Sequence, residues 1–555
     1  MKSPSATNRS VLPSHAIGET DVPLLEETIG QNLRRTVAAH PDREALVDVP
    51  SGRRWSYREL LVEVDALARG LMQLGINKGD RIAVWAGNLP EWMLLQYASA
   101  EIGAILVTVN PAFRTRELGY VLAQSGARML VAASALKGVA TGPMVAAVRA
   151  NCPALELVTP IGGESWRALY DRTVDDRPLR ERRAQLSPDD PINIQYTSGT
   201  TGHPKGATLS HRNILNNAYF VGLRCGYTER ERVCVPVPLF HTFGMVLGNL
   251  ATTAHGGCVV YPAEFFDAGA TLAAIDQERC TSLLGVPAMF LAELGRPDLE
   301  DYDLSSLRTG MMGGSPCPVE VMKQVMNRMG IADVTIVYGM TETSPVSTQT
   351  HIDDSLHHRV TTVGRVHPHL EVKIVDPRTV ATVPRGTEGE LCTRGYSVML
   401  GYWHEPNKTA QAIDDARWMH TGDLATMDVD GYLHITGRLK DMVIRGGENI
   451  SPREIEEFLH THPDIEDVQV VGVPDTRVGE ELMAWVRLRP GAPVLSAPQL
   501  RRFASGKLAA FKIPRYVTEI EEFPMTASGK VRKVELRKMA TNLLEVQQAV
   551  AAGHT

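Results

Sequence analysis

The residues best equipped for chemistry begin with the run Tyr196 to Gly206, YTSGTTGHPKG, which crowds together three glycines, four hydroxyl side chains and Lys205. Such a stretch packs poorly but offers an anion many donors. Glycines let backbone N–H groups turn inward, hydroxyls add more, and the lysine supplies charge. Thr197, Ser198, Gly199, Thr200, Thr201, Gly202, His203, Pro204 and Lys205 are therefore candidate polyphosphate ligands. The run is not a Walker A loop, because Lys205 is followed by Gly206 and not by Ser or Thr. A surface turn is the plain alternative, although linkers rarely end in Pro-Lys-Gly against an extended segment.

Other punctuated stretches follow. Gly313-Gly314-Ser315-Pro316 could let a planar ring lie against bare backbone, and is equally well a simple turn. In Tyr338-Gly339-Met340-Thr341-Glu342-Thr343, a carboxylate and two hydroxyls past an extended run could hold Mg2+ and touch the phosphates it bridges; a surface cap explains them as well. Asp423, after the Thr421-Gly422 turn, could accept from vicinal ribose hydroxyls. Lys530 stands on a Ser-Gly turn, where most lysines are simply solvated. His241, in His241-Thr242-Phe243-Gly244, is by itself a lone histidine, which is usually a packed one.

The elements that must position these groups alternate strand and helix. Ser56 and Glu59 have capping-box spacing ahead of Leu60, Val64, Leu67, Leu71 and Leu74, which predicts a long amphipathic helix. Strands are expected at Arg81 to Trp85 and Ile105 to Val109, and helices from about Pro90, Thr115 and Ser210. Further strands are expected at Cys258 to Tyr261, Ser282 to Gly285 and Val334 to Val337. That order implies an α/β fold of parallel strands with ligand loops at strand ends. After Gly437-Arg438-Leu439-Lys440-Asp441 the pattern restarts, with Ser451, Pro452 and Glu454 as a helix start and Ser496 with Gln499 as another. The expected organisation is a loose arm over residues 1–25, a large multi-lobed domain over 26–438 and a small α+β domain over 439–555.

Composition sets outer limits. The 555 residues carry a net charge of −7 and are 43 % apolar, which fits an enzyme and excludes a nucleic-acid scaffold. Seven cysteines without a CxxC offer neither a zinc site nor a disulfide framework. No apolar run is long enough to span a bilayer, and no apolar signal core opens the chain, so a cytoplasmic location is expected. His357, His358, His367 and His369 lack ligand spacing with acids and read as surface residues.

In combination and order the motifs are far more specific than singly. The strings PLFHTFG, YGMTETSPV, GELCTRGYSVMLGYW, HTGDLATMD, GRLKDMVIRGGENISPREIE and PMTASGK resemble the adenylate-forming (AMP-binding) superfamily from about residue 30 to 540, and within it the medium-chain type of fatty acyl-CoA synthetase. The resemblance implies a large N-terminal domain and a small mobile C-terminal one. It implies ATP, Mg2+ and coenzyme A as cofactor and co-substrates, a carboxylic acid as substrate, and compatibility with a homodimer.

The resemblance also assigns roles. Lys530, Glu342, Thr341 and His241 are the expected catalytic group, with Glu342 on the metal, Thr341 on the α-phosphate and His241 a gate between acyl pocket and CoA tunnel. Tyr338 and Gly314 would flank adenine, and Asp423 and Arg438 would take the ribose. Lys440 would be the hinge, where many relatives carry aspartate, and Gly446 and Gly447 would line the tunnel. His241, Phe243 and Gly339 would border the acyl group. Gly339 stands where acetate-activating relatives have a tryptophan, which favours a longer chain. Gly244, Gly248 and the apolar Met245, Val246 and Leu247 favour a fatty substrate. An aryl acid, delivery to a carrier protein, and a non-catalytic ligand-binding relative are the alternatives.

Overall fold

The computed structural model describes residues 12–170, 175–197, 204–445, 448–475, 477–526 and 530–551. The chain forms two compact units. One comprises residues 15–372 and 392–420, the other residues 1–14, 373–391 and 421–555. The expected boundary at 438/439 lies within the second.

Two large sheets of the larger unit carry the candidate site. In the first, the strands Ile105–Thr108, Arg81–Trp85, Met129–Ala132 and Leu157–Pro160 run parallel, and Pro191–Thr197 joins them parallel to Ile105–Thr108. Pro191–Thr197 then pairs antiparallel with Lys205–Ser210, which pairs antiparallel with Gly401–Tyr402 at the edge. The second sheet has nine strands. Thr309–Gly313 and Asp333–Gly339 are parallel neighbours, and Val346–Gln349 returns antiparallel beside the latter. These sheets read as the sequence does: continuous apolar runs for strands covered on both faces.

Local signals hold where the contacts are local. The helix Tyr57–Gln73 starts on Ser56, whose hydroxyl accepts from Glu59 N while the Glu59 carboxylate accepts from Ser56 N. His211–Arg224 is capped in the same way by Ser210 and Asn213, and Ala497–Ala504 by Ser496 and Gln499. Ser451 precedes Pro452–Leu459 as expected but makes no cap bond, because its hydroxyl donates instead to the Thr436 carbonyl. Of the stretch expected to be a loose arm, His15–Ile17 forms an edge strand and Gly18 N donates to Leu370 O at 2.8 Å.

The helix Pro90–Ile102 is buried along nearly its whole length, so its apolar residues are not confined to one stripe, and Gln96, Ser99 and Glu101 are buried with them. His211–Arg224 touches strands of both sheets and carries three buried asparagines that hold loops in place. Asn213 donates to the carbonyls of Tyr396 and Val398. Asn216 exchanges bonds with the Leu25 backbone, and Asn217 with that of Val346. His367, expected at the surface, is wholly buried, with Nε2 2.9 Å from Gln349 Oε1. The neighbouring Arg224, which donates to the carbonyls of Gln349, Arg365 and Val366, closes over that region.

In the second unit, Ile465–Asp475 and Gly479–Leu488 form a long antiparallel pair flanked by Val443–Arg445, Glu448–Ile450 and Tyr516–Glu519. The helices Pro452–Leu459 and Lys533–Ala551 pack on Ile465–Asp475. Residues 423–427 pair antiparallel with Leu433–Arg438. All seven cysteines are free thiols, and among the described residues no helix is long and apolar enough to cross a membrane.

Candidate active site

The candidate phosphate run connects two antiparallel strands. Thr197 and Lys205 are cross-strand partners at the last register position of Pro191–Thr197 and Lys205–Ser210, so the ends of the run are held together by the sheet. Ser198, Gly199, Thr200, Thr201, Gly202 and His203 lie outside the described residues. Gly206 has a packing reason for its identity, since a Cβ there would meet Ile194 Cγ2 at 2.8 Å. Its carbonyl accepts from Trp403 N at 2.7 Å, which fastens the edge strand to the hairpin.

Glu342 comes to this hairpin from the other sheet. The strand Asp333–Gly339 ends at Tyr338-Gly339, and a 3-10 turn, Thr341–Thr343, follows. Met399 N donates to the Glu342 carbonyl at 2.9 Å. The Glu342 carboxylate is 5 % exposed. Its Oε1 accepts from Tyr402 Oη at 2.8 Å and lies 3.5 Å from Thr197 Oγ1. The Tyr402 ring in turn sits 4.9 Å from Lys205 Nζ. Burial, and then the adjoining Glu342, push the Tyr402 phenol far above its usual range, so it stays a hydrogen-bond donor.

Thr197, Lys205 and Glu342, separate in sequence, thus meet around Tyr402, which sequence reasoning passed over. The signal for it in the sequence is the MLGYW string, Met399 to Trp403. The hard oxygen donors of Glu342 and Thr197 suit a cation such as Mg2+.

Tyr338 is half-buried and opposite Thr348, and Thr341 is buried. Gly313 ends a strand where a Cβ would lie 2.5 Å from Val337 Cγ2, and Gly314 has φ +84°, so the pair of glycines is imposed by backbone and packing. Gly339 has its own constraint: a Cβ would fall 1.8 Å from Pro345 O. In this chain the close approach of Pro345 gives glycine at 339 a packing reason independent of the acyl group.

His241 is half-buried at the entrance to an unusual helix. Its Nδ1 accepts from Phe243 N at 3.1 Å, which places the ring proton of the neutral imidazole on Nε2. Phe243–Leu250 is a π-helix, fully buried. Gly244 and Gly248 let it press against the preceding segment, since Cβ atoms there would meet Pro238 O at 2.3 Å and Val235 Cγ1 at 2.7 Å. Asn88 fixes that segment, donating to Val235 O and Val237 O and accepting from Leu239 N.

In the other unit, Asp423 and Arg438 are cross-strand partners, joined by an ion pair of 2.7 Å. Asp423 is buried and Arg438 is exposed. Lys440 lies in the short turn Leu439–Asp441. Next to it, Asp441 accepts from Arg537 Nη2 at 2.7 Å; burial would raise this carboxyl, but that bond and the charges of Lys533 and Arg537 hold it below its usual value. Lys530 is bonded to Thr526, with its N–H donating to Thr526 Oγ1 at 2.9 Å and its carbonyl accepting from Thr526 N at 2.7 Å. Gly446 and Gly447 lie outside the described residues.

Two shallow depressions of about 250 Å3 each share Val158. They lie along Leu157–Pro160, at the opposite edge of its sheet from Tyr402, and contain none of the groups above.

Known proteins share this layout. Residues 33–403 match the family model of the AMP-binding enzyme, and residues 454–530 match that of the AMP-binding enzyme C-terminal domain. YngI of Bacillus subtilis (strain 168), named an acyl-CoA synthetase on a provisional basis, is 47 % identical over 547 residues, covering 95 % of this chain and 99 % of its own. The mitochondrial medium-chain acyl-CoA ligase ACSF2 of Danio rerio is 43 % identical over 550 residues, covering 95 % of this chain and 90 % of its own. Among solved structures, ATP-bound MatB from Rhodopseudomonas palustris superposes with a TM-score of 0.82 at 29 % identity, covering 94 % of this chain and 100 % of its own. The chain belongs to the AMP-binding enzyme family, and its relatives there are acyl-CoA synthetases and ligases.

Proposed function

We propose that the protein activates a medium-chain fatty acid with ATP and transfers it to coenzyme A, releasing AMP and pyrophosphate. The observation that carries this reading is the meeting of Thr197, Lys205 and Glu342 around Tyr402, in a chain whose relatives include medium-chain acyl-CoA ligases. In the first step a carboxylate oxygen attacks the α-phosphorus, the bond to the β-phosphate breaks, and pyrophosphate leaves. Two anions must approach, so catalysis consists of placing positive charge where negative charge accumulates.

Lys205 and the run 197–205 hold the departing pyrophosphate. Thr341 donates to the α-phosphate. Glu342 and Thr197 would hold Mg2+, which when bound neutralises phosphate charge. Asp423 and Arg438 take the ribose, and Tyr338 with Gly314 borders the adenine. Lys530 bridges the carboxylate and the α-phosphate. In the second step the thiolate of coenzyme A attacks the acyl carbon and AMP departs, the thiol proton passing to solvent. We further propose that residues 439–555 move about Lys440 between the steps, with Gly446 and Gly447 beside the pantetheine and His241 screening the acyl carbon. Holding both reactants removes much of the entropy cost of their encounter.

The test is an assay of the full chain with ATP, Mg2+, coenzyme A and acids from butyric to palmitic, with aryl acids alongside. The expected result is equimolar AMP and pyrophosphate with acids of intermediate length. Release of neither product with any acid would overturn the reading. Turnover only with aryl acids, or only with a carrier protein as acceptor, would replace the substrate or the acceptor.

A further inference from the structure

Gln195 is the last buried residue of the strand that leads into the phosphate run, and it is only 3 % exposed. Its amide engages both neighbours. Oε1 accepts from Thr108 Oγ1 at 3.1 Å, across the parallel pairing in which Gln195 and Thr108 are direct partners. Nε2 points the other way, 2.8 Å from the sulfur of Met245. Met245 is buried in the third position of the π-helix that begins at Phe243.

A strand residue two places before Thr197 therefore touches the helix that follows His241. Apolar neighbours such as Ile194 pack at the same depth, and an aliphatic side chain at 195 would fill the space without the desolvation cost of an amide. A buried glutamine aimed at a thioether is an expensive choice for packing alone.

The helix it meets is held from its far side by polar groups as well. Gln96 Nε2 donates to Met245 O at 3.1 Å, which satisfies a carbonyl within the π-helix. Gln96 Oε1 accepts from Asn249 Nδ2 at 2.9 Å, and Asn249 Oδ1 accepts from Tyr261 Oη at 2.8 Å. With Gly244 and Gly248 pressed against Val235 to Leu239 and the Met245 carbonyl held by Gln96, the backbone here is fixed and adjustment is left to the flexible Met245 side chain.

We propose that Gln195 is a positioning residue that couples the two substrate sites: displacement of Met245 by an acyl chain is transmitted through the Gln195 amide to the base of the phosphate run. The inference rests on the acyl-adenylate reading above. It makes acid and nucleotide binding mutually dependent, with reciprocal effects on the two affinities.

The test titrates the full chain with α,β-methylene ATP by calorimetry, with and without decanoate, in the wild type, Gln195→Leu and Met245→Leu. In the wild type, decanoate should tighten the analogue at least about fivefold, and the analogue should tighten decanoate equally. In both variants the ratio should fall to within about twofold of one. A structural role alone would shift the affinities or the melting temperature but not the ratio.

Should Gln195→Leu fail to fold, Met245→Leu decides, since it keeps the volume and removes only the sulfur. A ratio preserved in the folded variants, or absent from a wild type that turns over decanoate, overturns the inference. A wild type that releases no pyrophosphate with any acid overturns instead the reading on which it rests.

Discussion

Tyr402 lies on the edge strand of one sheet and Glu342 in the turn just past a strand of the other, yet the Tyr402 hydroxyl donates to Glu342 Oε1 at 2.8 Å while the same ring faces the Lys205 ammonium. One side chain thus touches both the acid and the cation of the proposed nucleotide site. Tyr402→Phe keeps the ring and removes the donor, which leaves Glu342 less firmly aimed. The expected outcome is a several-fold rise in the Mg2+ concentration for half-maximal pyrophosphate release, with little change in melting temperature. Tyr402→Ala should cost more, because Lys205 loses its aromatic face as well.

Lys530→Ala should slow adenylation by roughly 10² to 10³ if the ammonium meets the charge developing at the α-phosphate. The thioester step, started from preformed acyl-adenylate, should be spared. Single-turnover measurement of the two half-reactions checks this, and equal loss in both would argue against separate conformations for the two steps.

Gly339→Ala distinguishes packing from substrate fit. The added carbon would collide with Pro345 O, so the variant should lose about 1–3 kcal/mol of stability in urea unfolding. Its activity should fall for short and long acids alike. A stable variant with only a shortened chain-length profile would show that the glycine serves the acyl pocket.

His211 gives the fold a defined pH dependence. It is fully buried with Nδ1 accepting from Ile29 N, and burial pulls it down from 6.5 to about 4. The unfolded chain therefore takes up the proton at higher pH than the folded one, and stability falls as pH drops from about 6.5 towards 4. The loss by the lower end is on the order of 3 kcal/mol. His367, also held well below its usual value by burial and then by Arg224, acts in the same direction. Melting curves between pH 7 and 4.5 should show the slope, and His211→Gln should flatten it.

The parts legible in the sequence were those decided locally. The Ser56–Glu59 and Ser210 caps, the strand runs and the hairpin around Tyr196 to Gly206 each depend on residues a few places apart. What escaped was decided at a distance. His367 looks like a surface residue until Gln349 and Arg224 close over it, and the Ser451 hydroxyl is diverted by a carbonyl fifteen residues upstream. Tyr402 lies sixty residues from Glu342, and only the pairing of Gly401–Tyr402 with Lys205–Ser210 brings it there. The π-helix was hidden for another reason: an apolar run with two glycines has no period that separates it from an ordinary helix.

The pairing of Thr197 with Lys205 has a thermodynamic consequence for the nucleotide. A free segment that wraps a polyphosphate must first bring its ends together, and that closure entropy is charged against affinity. Here folding has already set the ends of residues 198–204 side by side on a sheet. On the proposed reading, that part of the entropy cost is met when the chain folds and not when the nucleotide binds.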